Sequence, residues 1–346
     1  VEAIDLQNVK VNTGTLIEGM EIKGIVGKLY LHADRIDLGK EIARLNAIDL
    51  SETTITLLLN DTTTKNDTTS TAINWKLLLD KINLDRVAFA MQIPNDSLRF
   101  STYIDKAGLN NGLVDLGSSR YSAAKFLLSG STLSYEGDNR YPQPGFDPMH
   151  IDLNNVNIDI DSLLYGGKDM QAQIKQFTAT DRSGLTIRSL TGNIESDSSI
   201  IQVPQLLLQT PYSELRLLAT LPWSSFSDEP AGTLRSLLTA NLGKEDLFLF
   251  MGTLPEQFKN SYPNKDFTLT AGVEGNLSSL LLRQLKAELP GVIKIDVSGD
   301  LQHVTDSIRR SGNLKLNALT GDLNFILSTL PAAEKEMKQL EDLGFG

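Results

Sequence analysis

Three histidines, His32, His150 and His303, are the side chains best suited to bind a metal or to transfer a proton near neutral pH. They are far apart in the sequence, and none belongs to a His-x-x-x-His pair or has a nearby glutamate at the spacing that zinc enzymes use. His32 occupies a polar position of an alternating segment, which indicates an ordinary surface histidine. The sequence therefore predicts no metal site.

Other catalytic signatures are also absent from the sequence. The chain has no cysteine, so disulfides, zinc–thiolate sites and thiol nucleophiles are excluded. It has no Gly-x-Ser-x-Gly elbow and no phosphate-binding loop, and Gly24-x-x-Gly27 is interpreted as a turn. The 43 acidic residues single out no glycosidase pair. The oxygen-rich stretch 150–161 lacks the spacing of a calcium loop. We predict a protein that is not an enzyme and needs no cofactor.

The net charge of the chain limits the classes of ligand that it is expected to bind. The net charge is −11 and the isoelectric point is about 4.9. A nucleic-acid-binding protein needs a basic stripe to displace counterions from phosphates, and an anionic membrane surface likewise attracts basic segments. The acidic chain is therefore expected to bind neither. An apolar ligand remains compatible with this composition.

Period-two alternation of apolar and polar residues runs through most of the chain. It predicts strands with one face on a core and the other in water, with strand starts every 8 to 12 residues, as in antiparallel all-β folds. Residues 332–343 have helical spacing and predict a short C-terminal helix, whereas residues 277–289 fit either a helix or a strand. Trp75 and Trp223 lie beside apolar residues, which indicates packing.

The sequence also suggests an internal repeat. The hexapeptide Ile-Asp-Leu-Gln-Asn-Val at 4–9 is echoed by Ile-Asp-Leu-Asn-Asn-Val at 151–156. Residues 60–71 are low-complexity and are interpreted as a solvated loop. The proline-rich segment 141–150 predicts a linker or an edge excursion. We therefore divide the chain into a first repeat at 1–140, the segment 141–150, a second repeat at 151–330, and the C-terminal helix at 331–346.

The alternating apolar residues of successive strands are expected to share one surface, because an apolar sheet face has to be hidden from water. A closed core and an open, curled trough produce the same pattern, so both alternatives stand at this point. The candidate lining residues are Leu29, Leu31, Ile36, Leu38, Ile48, Leu50, Ile187, Val203, Leu208, Leu215, Leu217, Leu269, Val273, Ile295, Val297, Leu314 and Leu316.

The residue pattern in the second half of the chain resembles that of a known family. Residues 183–192 (SGLTIRSLTG) lead to 209–215 (QTPYSEL), and Gly-Asn-Leu or Gly-Asp-Leu follows strand-like segments at 275–277, 299–301 and 312–314. This recurrence of strand-like segments followed by Gly-Asn-Leu or Gly-Asp-Leu is similar to the pattern in the TamB branch of the AsmA-like envelope proteins of Gram-negative bacteria. TamB is the inner-membrane component of the translocation and assembly module. The chain resembles a middle segment of such a protein.

The resemblance implies an elongated, antiparallel, repeating β-groove, curled like a taco with an apolar interior. It implies a periplasmic location, with anchoring to the inner membrane by a segment outside this chain. The expected partners are phospholipid acyl chains and, through other regions, an outer-membrane barrel of the TamA type. The expected function is phospholipid transport to the outer membrane or barrel-protein assembly there.

Two further functions fit the residues. A structural or adhesive β-solenoid would fill its core with its own side chains. A carbohydrate-active β-helix enzyme would cluster aromatic and carboxylate side chains on one exposed face. An unfilled apolar channel would instead favour the lipid-binding function, because each buried methylene contributes about 0.8 kcal/mol without any specific contact.

Overall fold

A computed structural model describes residues 2–15, 19–59, 74–227, 231–322 and 325. Strands account for 70% of the described residues and helices for 7%, which confirms the all-β prediction. The chain forms two compact units, Val1–Ser198 and Ser199–Gly346. The predicted C-terminal helix at 332–343 and the predicted loop at 60–71 lie outside the described residues.

The described part of the first unit contains ten strands. They are β1 (Ala3–Thr15), β2 (Met20–Asp37), β3 (Ile42–Leu59), β4 (Lys76–Ile93), β5 (Leu98–Asp115), β6 (Arg120–Glu136), β7 (His150–Gly166), β8 (Asp169–Asp181), β9 (Thr186–Ile187) and β10 (Ser189–Ser196). Consecutive strands from β1 to β9 pair antiparallel with one exception, and β8 also pairs with β10. The exception is β3 with β4, which is parallel.

Strands β2 to β7 are 17 or 18 residues long, so the predicted spacing of 8 to 12 residues is wrong for this unit. The reason is a residue in the left-handed conformation in the middle of several strands. Asn8, Glu52, Arg86, Gly130 and Asn155 have φ between 50° and 61°. Such a residue interrupts the ladder and bends the strand. In the sequence it resembles a turn between two short strands.

These left-handed positions line up from strand to strand. Glu52 and Arg86 fall between the paired positions Ser51–Asp85 and Thr53–Val87, and their side chains form an ion pair of 2.9 Å. Gly130 donates its backbone N–H to Asn157 Oδ1 at 3.0 Å, next to Asn155. The left-handed residues of β1, β3, β4, β6 and β7 therefore lie on one line, which we call the crease. The line crosses β2 at Gly27 and β5 at Asp105, which are not left-handed.

The crease shifts the alternation of side chains by one position. In β3, Ile48 and Leu50 point to the apolar face on one side of Glu52, and Thr53 and Ile55 do so on the other side. These residues of the apolar face are therefore even-numbered before Glu52 and odd-numbered after it. Because a shift by one residue exchanges the two faces of a strand, the bend keeps apolar residues on a single face.

The most buried side chains of the first unit follow the crease. Thr53, Ser131 and Val156 have exposed fractions of 1%, 0% and 2%. The two hydroxyls replace ladder hydrogen bonds: Gly27 N donates to Thr53 Oγ1 at 3.2 Å, and Asp105 N donates to Ser131 Oγ at 3.2 Å. A Cβ at Gly27 would lie 2.3 Å from the Glu52 carbonyl oxygen, so only glycine fits there. Gly24-x-x-Gly27 is thus part of β2 and not a turn.

A second buried cluster lies nearer one end of the same strands. It contains Ala33, Ala43, Leu45 and Leu79, and Trp75 packs against it, which confirms a packing role for that tryptophan.

The segment 141–149 connects β6 to β7, which pair with each other inside the first unit. It is therefore an excursion between neighbouring strands, and the division between the units falls after Ser198. Asp147 holds the excursion together by accepting backbone hydrogen bonds from Gln143 N at 2.9 Å and Met149 N at 3.0 Å. Those two bonds, the one from Gln143 first, hold the pKa of Asp147 below its usual value.

In its described part, the second unit has seven strands and two short α-helices with defined bounds. The strands are β11 (Ile200–Gln209), β12 (Glu214–Pro222), β13 (Leu234–Leu242), β14 (Phe267–Gly275), β15 (Ser279–Leu289), β16 (Ile293–Gln302) and β17 (Ser311–Thr320), each antiparallel to the next. Helices α1 (Lys244–Met251) and α2 (Glu256–Ser261) lie between β13 and β14. The ambiguous segment 277–289 contains β15, and the two helices were not predicted.

Candidate functional site

Rows of apolar side chains cross the first unit from strand to strand. Residues paired across neighbouring strands point to the same face, so the registers define each row. The row nearest the crease contains Leu6, Leu29, Leu50, Leu84, Ala107, Leu128, Ile158 and Phe177. The next row contains Ile4, Leu31, Ile48, Ile82, Leu109, Phe126, Ile160 and Ile174. Neither row contains a polar side chain.

A third row lies on the other side of the crease. It contains Ile22, Leu57, Met91, Phe100, Tyr135 and Ile151. The three rows lie on one face because the crease shifts the alternation between them.

These rows differ from the crease in exposure. Row residues such as Leu29, Leu84 and Ile158 are half-buried, and Ile4 is 38% exposed, whereas the crease residue Val156 is 2% exposed. Side chains in a closed core would be buried along the whole row. Within the first unit, the apolar face is therefore partly accessible on both sides of the crease. On one side this accessible part ends at the second buried cluster, against which Leu31, Ile48 and Ile82 pack.

The structure places the first-unit candidates unevenly. Leu29, Leu31, Ile48 and Leu50 lie in the first two rows. Ile36 lies near the end of β2 opposite Ala43 and is 46% exposed. Ile187 pairs with Ala179 in the short strand β9.

Leu38 does not lie on the sheet. It follows the last residue of β2, in the turn to β3, and is 76% exposed. Ile36 and Leu38 have the spacing of a strand, but the turn begins between them, so the alternation continues in the sequence beyond the end of the ladder.

The second unit carries three comparable rows, and all ten of its candidate residues fall in them. The first contains Leu208, Leu215, Ala240, Leu269, Ala287, Ile295 and Ala318; the second contains Leu206, Leu217, Leu238, Ala271, Leu285, Val297 and Leu316; the third contains Val203, Ala219, Ser236, Val273, Leu282, Gly299 and Leu314. Ser236 is the only polar side chain among them. Leu314 and Leu316 on β17 are 51% and 62% exposed.

The opposite face of the second unit is largely polar. One row there contains Leu207, Arg216, Thr239, Thr270, Lys286, Asp296 and Asn317, and only its first member is apolar. Next to it, Glu274 bonds Arg283 at 2.7 Å and Arg235 at 3.1 Å. These two guanidinium groups, Arg283 first, hold the pKa of Glu274 below its usual value. One face of this unit is therefore suited to water and the other to an apolar partner.

Helices α1 and α2 cover the end of the apolar face in the second unit. Phe258 and Tyr262 pack with Leu289 and Val292 in a buried cluster that Phe267 also contacts. Phe248 and Tyr262 meet edge to face, with ring centroids 5.2 Å apart.

A buried polar network fixes α1 to the β11–β12 turn. Asp246, in the first turn of α1, is 3% exposed and accepts hydrogen bonds from the hydroxyls of Thr210 and Ser213, the latter at 2.6 Å. Ser213 Oγ in turn accepts the Gly243 N–H at 3.1 Å. The Thr-Pro-Tyr-Ser turn, quoted above only for its resemblance to a family, thus anchors a helix. Its partner lies 33 residues further on, so sequence spacing could not reveal it.

The histidines form no metal centre in the described part of the chain, which contains no group of three or more His, Asp or Glu side chains placed to bind a metal ion. His32 is exposed, as predicted. His150 is 4% exposed and its Nδ1 lies 2.9 Å from Asp147 Oδ2 in the 141–149 excursion.

No known family model and no curated protein sequence matches this chain. Among the described residues, no helix has the length and hydropathy required to cross a membrane. The two apolar sheet faces are therefore the features from which a function can be argued.

Proposed function

We propose that this chain is a non-enzymatic segment that shields lipid acyl chains on its apolar sheet faces during transfer through the bacterial envelope. The observation that carries the proposal is the set of rows that cross each unit with almost no polar side chain. The resemblance adds the setting, which is the periplasm of a Gram-negative bacterium, and the task, which is phospholipid transport to the outer membrane or barrel-protein assembly there.

The dimensions of the rows suit a lipid tail. Neighbouring strands lie about 4.8 Å apart, so a row over eight strands extends roughly 34 Å. One leaflet of a bilayer core is about 15 Å thick, half of the usual 30 Å, so a row exceeds the length of one tail.

The chemistry of the rows suits a tail as well. Each methylene that leaves water contributes about 0.8 kcal/mol, and a uniform hydrocarbon needs no specific partner. Half-buried side chains leave room for such contacts, whereas a solenoid with a filled core would leave none. An acyl chain can therefore bind anywhere along a row and slide to the next position.

The proposal is tested by mass spectrometry of lipids that co-purify with the chain. We expect phospholipid with the wild type and a loss of most of it in Leu208→Asp and Leu269→Asp, because a charge on the face repels hydrocarbon. Both residues are half-buried, so the carboxylate can reach water and the melting temperature should change little.

The matched control is Thr268→Asp, which places the same charge one residue away on the polar face of β14, where Thr268 is exposed. It should retain wild-type amounts of lipid. A wild type that carries no lipid, or face variants that carry as much as the control, would refute lipid binding and favour the solenoid function.

A further inference from the structure

The second unit contains an apolar pocket of about 430 Å³ between its two helices and the end of its sheet. Met251 of α1, Phe258 of α2, Phe267 of β14, Leu289 of β15 and Ile293 of β16 contribute to the wall. Of the ten described residues that line the pocket, only Tyr262 carries a polar side-chain atom. Its volume lies within the roughly 300–1,000 Å³ that is typical of ligand sites.

The pocket continues the apolar face of the sheet. Phe267 lies two residues before Leu269, Leu289 lies two residues after Ala287, and Ile293 lies two residues before Ile295. Side chains two apart in a strand share a face, so these wall residues belong to the same face as the rows. A hydrocarbon on the rows would therefore reach the pocket without crossing polar surface.

Buried contacts hold the residues of the pocket wall in place. The Asp246 network fixes α1, and Phe258 and Tyr262 pack edge to face with centroids 5.8 Å apart. Tyr262 is 5% exposed, and its hydroxyl has no hydrogen-bond partner among the described residues. Burial raises the pKa of Tyr262, so the group stays neutral and adds no charge that would repel hydrocarbon.

We infer that this pocket holds the hydrocarbon end of one acyl chain, whose remaining length lies on the rows of β14 to β16. The inference rests on the proposed function. It adds one fixed position for the end of an acyl chain, on a face whose rows bind lipid at no single position. The pocket places apolar side chains of two helices and three strands around the terminal methylenes, whereas a row contacts an acyl chain from one side only.

The location is tested by photocrosslinking with the full chain. The photoreactive residue p-benzoylphenylalanine replaces Met251, and vesicles of phosphatidylethanolamine and phosphatidylglycerol supply the lipid. The control places the same group at Phe250, the neighbouring residue of α1, which is similarly exposed (58%, against 45% for Met251) but is not part of the pocket wall, so the two positions differ in the pocket alone. We expect a lipid adduct at position 251 at least about tenfold more abundant than at 250, the ratio given by roughly two buried methylenes.

Equal labelling at both positions would overturn the inference. So would an adduct between position 251 and residues 326–346 of the same chain, because the pocket would then be occupied by the protein itself.

A second pair of variants separates the pocket from the rows. Met251→Trp should fill the pocket and weaken binding of cis-parinaric acid, a fluorescent fatty acid, by about tenfold. Phe250→Trp introduces the same ring at the neighbouring exposed position outside the pocket wall, so it should bind the probe as the wild type does.

If Leu208→Asp loses lipid while Met251→Trp binds the probe normally, the pocket inference is wrong and the proposed function stands. If Met251→Trp loses the probe while Leu208→Asp keeps its lipid, the pocket stands and transport along the rows is wrong.

Discussion

Both units have an apolar sheet face, but a different structural feature covers part of that face in each unit. In the first unit the strands are up to 18 residues long, and a line of bends buries the middle of the face. In the second unit the strands have 9 to 11 residues, the rows contain buried side chains at Val203, Ala219 and Ala240 alone, and two helices cover one end. Strand length accounts for the difference, because a long strand can bend within itself whereas a short one needs another element to cover it.

Of the stability changes that this comparison predicts, the largest is expected at the crease. Val156→Asp should destabilise the first unit by several kcal/mol, since the carboxylate is placed where the native side chain is 2% exposed. The matched variant Ile158→Asp lies two residues along the same face of β7 and is half-buried, so it should cost clearly less. Urea unfolding, followed by hydrogen exchange in β6 and β7, measures both. Equal losses would mean that the crease and the rows are one closed core.

An intermediate effect is expected at the helix anchor of the second unit. Asp246→Ala leaves the hydroxyls of Thr210 and Ser213 without their acceptor, which should cost about 1–3 kcal/mol and speed hydrogen exchange in α1. Glu245→Ala removes an exposed carboxylate from the same helical turn and is the control. If α1 exchanges at the same rate in both variants, the network does not hold the helix.

The smallest effect tests how the crease satisfies its backbone. Thr53→Val keeps the shape of the side chain but removes the hydroxyl that accepts from Gly27 N and donates to the Ser51 carbonyl. We expect a loss of about 1–2 kcal/mol, because two intramolecular hydrogen bonds are removed, with faster exchange of the Gly27 amide. Thr54→Val, at the exposed neighbouring position, should leave both quantities unchanged. An unchanged Gly27 amide in Thr53→Val would show that the hydroxyl is dispensable.

Alternation was sufficient to predict the fold class and, in the second unit, the shared rows of all ten candidate residues. It failed for strand length in the first unit because it cannot distinguish a bend from a turn. Ile48–Leu50 and Ile55–Leu57 read as two strands, yet both lie in β3. The phase change between them marks the crease, and phase changes of this kind are the signal that could have found it.

The repeated hexapeptide is explained by the same feature. In Ile-Asp-Leu-Gln-Asn8-Val and Ile-Asp-Leu-Asn-Asn155-Val, the last asparagine has φ of 53° and 52°. Asparagine tolerates this conformation better than most residues, so both copies encode a bend. The helices α1 and α2 could not be predicted in this way. With 8 and 6 residues they are too short for helical periodicity to be decisive, and a buried contact with the distant Thr210 turn stabilises α1.

The crease also restricts how this unit can change in evolution. Because the bends of neighbouring strands are in register, deleting one residue from β3 or β4 would separate Glu52 from Arg86 and move every residue beyond the deletion to the other face. Insertions and deletions are therefore expected in turns such as 116–119, and growth of the unit requires the addition of whole strands. An added strand would therefore have to change the phase of its alternation at the position where it meets the crease.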